Sequence, residues 1–157
     1  MAHSLVEITD PARKSAICDG ILRALPDWFG IEPSIVEYVA KVRALPFWAV
    51  LDERGEALGF AALNPQTSHA AEVCVMGVLA LRHRHGLGRQ LIEACNRWCR
   101  EHGVPYLTVK TLAETHPDPG YAKTRAFYAA MGFVPLEVFP TLWDANNPCL
   151  LMIKRTD

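Results

Sequence analysis

The chain has 157 residues, of which 50% are hydrophobic and 21% are charged, and its formal net charge at pH 7 is −1. This length and composition predict one soluble globular domain covering residues 1–157. A nearly neutral chain does not favour a nucleic-acid partner, so any anion-binding site must be local.

The N-terminal stretch MAHSLVEITD has no apolar segment typical of a signal peptide. No apolar run in the sequence approaches the roughly 18 residues that a membrane-spanning helix needs. We therefore expect a cytoplasmic protein with no membrane partner.

The sequence contains five cysteines and no Cys-x-x-Cys motif. Cys95 and Cys99 are four residues apart on a predicted helix and could hold a metal ion. No second pair of ligands has matching spacing, so buried thiols in a reducing compartment are favoured over a metal site. The cysteines are Cys18, Cys74, Cys95, Cys99 and Cys149.

The N-terminal part predicts a strand and a helix. Residues 4–8 alternate weakly, as in a strand. Asp10 followed by Pro11 is typical of an N-cap and the first helical position. Apolar residues then recur every four positions over residues 17–25, which indicates an amphipathic helix.

Residues 25–33 contain two prolines and a glycine and predict a loop. Ser34 with Glu37 matches a capping box, which predicts a short helix starting there and ending near Leu45. Residues 46–52 and 57–64 then predict a hairpin whose tight turn contains Gly55.

The nearly apolar stretch 71–80 predicts a central strand. Apolar residues step by three and four from Leu87 to Trp98 and indicate a helix that stops at Gly103. The remaining predicted elements are a strand at 105–111, a loop at 114–120, a helix at 121–131 and strands at 133–139 and 149–154. The order β-α-α-β-β-β-α-β-α-β-β predicts a mixed α/β domain around one twisted sheet.

The basic, glycine-containing segment 82–89 lies between a predicted strand and a predicted helix. A helix N-terminus offers free backbone N–H groups, and glycines let a ligand approach closely, so phosphate groups are the expected ligand. Arg84 and Arg89 can add charge-assisted hydrogen bonds. A solvated surface loop is the alternative. A P-loop is excluded because no Gly-Lys pair exists, and the dinucleotide fingerprint fails because position 91 is leucine.

The segment VLALRHRHGLGRQLI (residues 78–92) closely resembles motif A of the GNAT acetyltransferase superfamily. That motif reads Arg or Gln, two residues, Gly, one residue, Gly or Ala. Gly86 and Gly88 match its glycines, whereas His83 stands at its first position. The segment TRAFYAAMGFVPLE (residues 124–137) resembles the second hallmark of the family, a helix carrying F-Y-x-x-x-G-F. The stretches PDWFG, VMGVL, VKTL and TLWDANNPCLLM are similar to those of a bacterial subgroup.

This resemblance implies an α/β (α+β) fold, with a single mixed, mostly antiparallel twisted sheet of six to seven strands and about four flanking helices. It also implies acetyl-CoA as cosubstrate and no metal, and it leaves a homodimer open. In the family, the glycine motif holds the pyrophosphate, and the main chain of the preceding strand pairs with the pantetheine arm. The implied contacts are Arg84, His85, Gly86, Leu87, Gly88 and Arg89 for the pyrophosphate, and Val78, Leu79 and Ala80 for the pantetheine arm.

Transfer of an acetyl group to an amine needs a neutral nucleophile. Glu72 is the only acidic residue on the strand that precedes the glycine segment. Its offset from Gly86 resembles that of the glutamate base in the histone-acetylating branch of the family. The alternative is a solvated glutamate at a strand end.

Tyr128 holds the position of the family's general-acid tyrosine. Unperturbed pKa values near 8.5 for a thiol and 10 for a tyrosine make full proton transfer uphill by roughly 2 kcal/mol. Tyr128 therefore stabilises the thiolate by a hydrogen bond, donates with a shifted pKa, or merely packs on the sheet. Tyr121 and Tyr106 are weaker candidates.

The acceptor site is the least defined part of the sequence. Aromatic residues in or near connecting segments could line a cleft or belong to the core, and several acidic residues and a histidine could recognise a cation or face solvent. The aromatic candidates are Trp28, Phe29, Trp48, Tyr121 and Trp143. The polar candidates are Glu114, His116, Asp118 and Asp144.

The sequence thus favours an acetyl-CoA-dependent N-acetyltransferase that acts on a small-molecule or peptide amine by direct attack in a ternary complex. A non-catalytic acyl-CoA-binding or sensor module is the alternative. Thioester hydrolysis is a third reading, although no G-x-S-x-G motif supports a serine hydrolase.

Overall fold

The computed structural model describes residues 2–157 and contains seven strands and four α-helices in that range, in the predicted order. The strands are β1 (His3–Glu7), β2 (Phe47–Asp52), β3 (Ala57–Pro65), β4 (Ala70–Val78), β5 (Tyr106–Leu112), β6 (Val134–Asp144) and β7 (Asn147–Arg155). The helices are α1 (Pro11–Arg23), α2 (Glu32–Lys41), α3 (Leu87–Glu101) and α4 (Pro119–Ala130), with 3-10 turns at Val42–Ala44 and Ala80–Arg82.

The strands form one sheet in the order β1-β2-β3-β4-β5-β7-β6. The β1–β2, β2–β3, β5–β7 and β6–β7 pairs are antiparallel, whereas β4 and β5 run parallel. This confirms the expected mixed, mostly antiparallel sheet flanked by four helices. By its internal contacts the chain divides into two compact units. The single domain over residues 1–157 remains a prediction.

The first unit comprises the residues up to Asn64 together with Val73–Arg97. Its core contains Phe47 and Phe60, which are fully buried and stack with ring centroids 5.2 Å apart. Gly77 allows α1 to pack closely on β4, because a Cβ there would lie 3.1 Å from atoms of both Ile21 and Leu25. The two core side chains therefore lie directly against the backbone of β4 at Gly77.

The second unit comprises Pro65–Glu72 and Trp98–Asp157. Its buried residues include Leu107 and Val109 of β5, and Phe133 just before β6. Helix α4 is held at the end of β5 by Arg125, whose Nη1 donates to the carbonyl oxygen of Leu112 at 2.7 Å.

Several predicted boundaries were wrong, and three of them have a local cause. Helix α2 begins at Glu32 rather than at Ser34, because Pro33 suits the first turn and Glu32 favours the positive end of the helix. Helix α4 begins at Pro119, where Asp118 accepts a hydrogen bond from the backbone N–H of Gly120. Strand β6 extends to Asp144, because the hairpin with β7 turns only at residues 145–146.

Candidate functional site

The segment of residues 79–86, which we call the glycine loop, connects β4 to α3 in the first unit. Its first residues form a 3-10 turn at Ala80–Arg82. Arg84 and Gly86 both have left-handed backbone conformations, with φ of 66° and 79°. This conformation costs an L-residue about 1–2 kcal/mol, and it turns successive N–H groups toward a common concave side, which is the geometry of an anion-binding nest.

Helix α3 starts where the glycine loop ends. The carbonyl of Gly86 accepts from the N–H of Gln90 at 3.1 Å. In such a first turn, the N–H groups of Leu87, Gly88 and Arg89 have no acceptor within the helix. A Cβ built on Gly86 would meet no atom within 4 Å, so the space in front of this backbone is open. Arg84, His85 and Arg89 are exposed beside it. Backbone donors, a helix N-terminus and two guanidinium groups fit a diphosphate.

His83 has a structural role in the glycine loop that the sequence alone did not indicate. Its Nε2 donates to the carbonyl oxygen of Val78 at 2.7 Å, which ties the glycine loop to the end of β4. Its ring also contacts Trp28 edge-on, with centroids 5.7 Å apart. The histidine at the first motif position therefore holds the loop to the strand that precedes it.

Glu72 lies on β4 in the second unit and is nearly buried, with 7% of its surface exposed. This excludes the alternative of a solvated glutamate at a strand end. Lys110 Nζ lies 2.7 Å from Glu72 Oε2, and Gln66 Nε2 donates to Oε1 at 3.3 Å. Each carboxylate oxygen keeps a further lone pair with which it can accept a proton or bind water.

Sequence reasoning missed Lys110 and Gln66. Lys110 is the only charged residue between Tyr106 and Leu112, which is an unusual composition for a buried strand. That isolated charge was the signal available in the sequence. Gln66 gave no such signal, because glutamine is common in turns between strands.

Tyr128 lies on α4, and 8% of its surface is exposed. Its ring contacts Phe133 edge-on at 5.6 Å and Phe127 at 5.5 Å. The N–H of Phe133 donates to the Tyr128 carbonyl at 3.1 Å, where the chain leaves the helix. The ring is therefore held by packing on two sides.

Tyr121 lies in the first turn of α4. Burial, and secondarily the charge of Asp118, raise the pKa of its phenol. A higher pKa makes the phenol a weaker proton donor to a thiolate, which disfavours Tyr121 as the general acid.

The proposed acceptor residues are divided between the units. Trp28 and Phe29 pack against the core of the first unit, where Phe29 contacts Tyr38 edge-on at 6.4 Å. Trp48 is buried, with 7% of its surface exposed, and is core. Trp143 lies on β6 with 46% of its surface exposed.

Three of the polar candidates make hydrogen bonds that stabilise the turns in which they lie. Asp118 caps α4, and Asp144 accepts from Asn146 N at 2.8 Å and from Asn147 Nδ2 at 3.0 Å. These bonds, first that from the Asn147 side chain, lower the pKa of Asp144. His116 Nδ1 accepts from the N–H of Asp118 at 3.3 Å. These contacts stabilise the local backbone.

No disulfide joins any of the five cysteines, and all but Cys74 are buried. Burial raises the pKa of Cys18 to about 12 and that of Cys99 to about 11. Across residues 2–157, no three His, Cys, Asp or Glu side chains come together as a metal site would require. In the same range, no helix combines the length and the hydropathy needed to cross a membrane.

A family model described as an acetyltransferase (GNAT) domain matches residues 44–135. No curated protein sequence matches the chain significantly. Among solved structures, the chain is similar to a GNAT-family acetyltransferase from Desulfovibrio desulfuricans, with a TM-score of 0.81, 18% identity, and coverage of 99% of this chain and 100% of the other.

Two further structures share the fold. One is an aminoglycoside 6′-N-acetyltransferase complexed with coenzyme A, with a TM-score of 0.76, 19% identity, and coverage of 100% and 98% of the two chains. The other is the ribosomal-protein-S18-alanine N-acetyltransferase from Escherichia coli, with a TM-score of 0.75, 16% identity, and coverage of 99% and 95%.

Proposed function

Since the chain belongs to the GNAT acetyltransferase family, we propose that it transfers an acetyl group from acetyl-CoA to a primary amine by direct attack in a ternary complex. The observation that carries this proposal is the glycine loop, in which two left-handed residues precede the N-terminus of α3 between exposed arginines. This donor set suits the pyrophosphate of CoA.

The pyrophosphate would be held by the backbone N–H groups of residues 86–89, by Arg84 and Arg89, and by His85 beside them. The main chain of residues 78–80 would pair with the pantetheine arm. The 2.7 Å bond from His83 to the Val78 carbonyl supports the pyrophosphate assignment, because it fixes the glycine loop relative to the end of β4.

Glu72 would remove the proton from the acceptor amine, directly or through water. Bound acetyl-CoA supplies an activated thioester carbonyl. An alkyl amine with a pKa of about 10.4 is only roughly 0.04% neutral at pH 7, so a base is needed at each turnover. The amine nitrogen then bonds to the carbonyl carbon, the C–S bond breaks, and CoA departs as the thiolate.

Tyr128 would donate a hydrogen bond to the departing sulfur. Its ring is fixed by Phe127 and Phe133, so the hydroxyl can be positioned before charge develops.

The acceptor would be a small molecule or a peptide amine. Relatives of the same fold act on both kinds, one on aminoglycosides and another on the alanine of a ribosomal protein. Trp28, Phe29, Tyr121 and Trp143 are the proposed acceptor contacts. A cytoplasmic location, a metal-free reaction and a homodimer remain predictions.

Thiol release from acetyl-CoA, measured with and without a panel of amines, tests this function. We expect release only when an amine is present, with the acetylated amine appearing in equal amount. Release without an amine would indicate thioester hydrolysis. Binding of acetyl-CoA with no release under either condition would indicate the acyl-CoA-binding or sensor module instead.

A further inference from the structure

We propose that Lys110 is a positioning residue for the reaction, which holds the carboxylate of Glu72 in the orientation that a base requires. This inference rests on the proposed function. It assigns a role to a residue of β5. It also includes a second contact to the Glu72 carboxylate, which Gln66 makes.

The strand register places Lys110 beside Glu72. Strands β4 and β5 are parallel, and Glu72 is opposite Thr108. Lys110 is two residues further along β5, so its side chain lies on the same face of the sheet as those of Thr108 and Glu72. The result is a 2.7 Å ion pair between side chains that are 29% and 10% exposed.

Gln66 restrains the other carboxylate oxygen. Its side-chain amide donates to Glu72 Oε1, while its backbone N–H donates to the carbonyl of Ala70 at 3.1 Å. Thr67 Oγ1 accepts from the N–H groups of His69 and Ala70, each at 3.1 Å, which orders the same turn. With one donor on each oxygen, rotation of the carboxylate is restricted.

The stability of the fold alone does not explain why Glu72 and Lys110 form an ion pair at this half-buried position. Removing two charges from water is unfavourable, and well-packed apolar residues often replace such a pair without loss. Cys149 of β7 also lies near the pair, and the pKa of its thiol is raised, first by burial. The thiol therefore carries no charge near pH 7 and does not compete with Glu72 for Lys110.

The positioning role is tested by steady-state kinetics with an accepted amine. The variants compared are Lys110→Met, Lys110→Arg and Lys154→Met. Lys154 is the matched control, because it is a half-buried lysine of β7 that donates to the Met131 carbonyl. We expect Lys110→Met to lower kcat by about 10- to 100-fold, because a misplaced catalytic group loses the geometry of attack. The KM for acetyl-CoA should stay within about twofold.

Two further measurements separate positioning from a purely structural effect. Lys110→Arg should recover most of kcat, since a guanidinium can still bind the carboxylate. In a Glu72→Gln background, Lys110→Met should have little additional effect on kcat, because residues that act as a unit are not additive.

Wild-type kcat in Lys110→Met, or a full additional loss in the Glu72→Gln background, would overturn the positioning role while leaving the proposed function intact. An equal kcat loss in Lys154→Met would also overturn it. No turnover by the wild-type protein with any amine would overturn the proposed function and the positioning role with it.

Discussion

Removing the carboxylate of Glu72 tests the proposed acetyl transfer most directly. Glu72→Gln keeps the side-chain size and one acceptor oxygen for Lys110, but it removes the base. We expect turnover to fall most at low pH, where neutral amine is scarcest, and acetyl-CoA binding to persist. A pH–rate series checks this, with Glu137→Gln on exposed β6 as the control. An unchanged profile would exclude Glu72 as the base.

The hydroxyl of Tyr128 gives a second prediction for a single residue. Tyr128→Phe keeps the ring packing against Phe127 and Phe133, so the fold should be retained. Turnover should fall by about 10²–10³, because one donor to the developing anion is lost, while CoA affinity stays nearly constant. Tyr106→Phe, at an exposed position on β5, is the control. A wild-type rate would mean that Tyr128 is a packing residue.

Among the secondary-structure elements, the turn from β4 into α3 is the proposed CoA-binding element. Gly86→Val would add bulk to open space in front of the proposed nest, and the φ of 79° is strained for a branched residue. We expect CoA binding by calorimetry to weaken at least about tenfold, the effect of roughly 1.4 kcal/mol.

The control for backbone strain is Gly103→Val at the end of α3. Gly103 has a φ of 68° and also has open space at its Cβ position. Both variants should therefore lose a similar amount of stability in thermal unfolding. CoA affinity should fall only in Gly86→Val, and equal affinity in both variants would contradict the nest.

For the molecule as a whole, the reactivity of the thiols tests which cysteines the fold buries. Cys74 is half-buried, whereas the other four are buried. Burial also raises the pKa of Cys18, Cys99 and Cys149, so fewer of these thiols are ionised near pH 8.

A thiol reagent should thus label one thiol, that of Cys74, rapidly in the native protein. It should label all five thiols in denaturant. Cys74→Ala should remove the rapid phase, and peptide mapping identifies the labelled residue. Rapid native labelling of Cys18 or Cys99 would contradict the burial described above.

Local signals allowed the sequence to predict much of this protein. The pair Asp10 and Pro11 marks the start of α1, and Asp10 does accept from the N–H of Arg13 at 3.0 Å. Gly103 and Gly132 follow α3 and α4 with positive φ, as helix-ending glycines do. The element order and the loop between β4 and α3 were readable because periodicity, caps and turn residues act within a few positions.

Contacts between residues that are far apart in the sequence depend on the register of the strands. Glu72 and Lys110 are 38 residues apart, and only the parallel pairing of β4 with β5 brings their side chains to 2.7 Å. The sequence named Glu72 but not its partner, because an isolated lysine in a strand does not say which strand lies next to it. The bond from His83 to Val78 likewise depends on how the loop folds back. Contacts of this kind arise from tertiary packing, so the sequence supplied the chemical groups and the fold determined their partners.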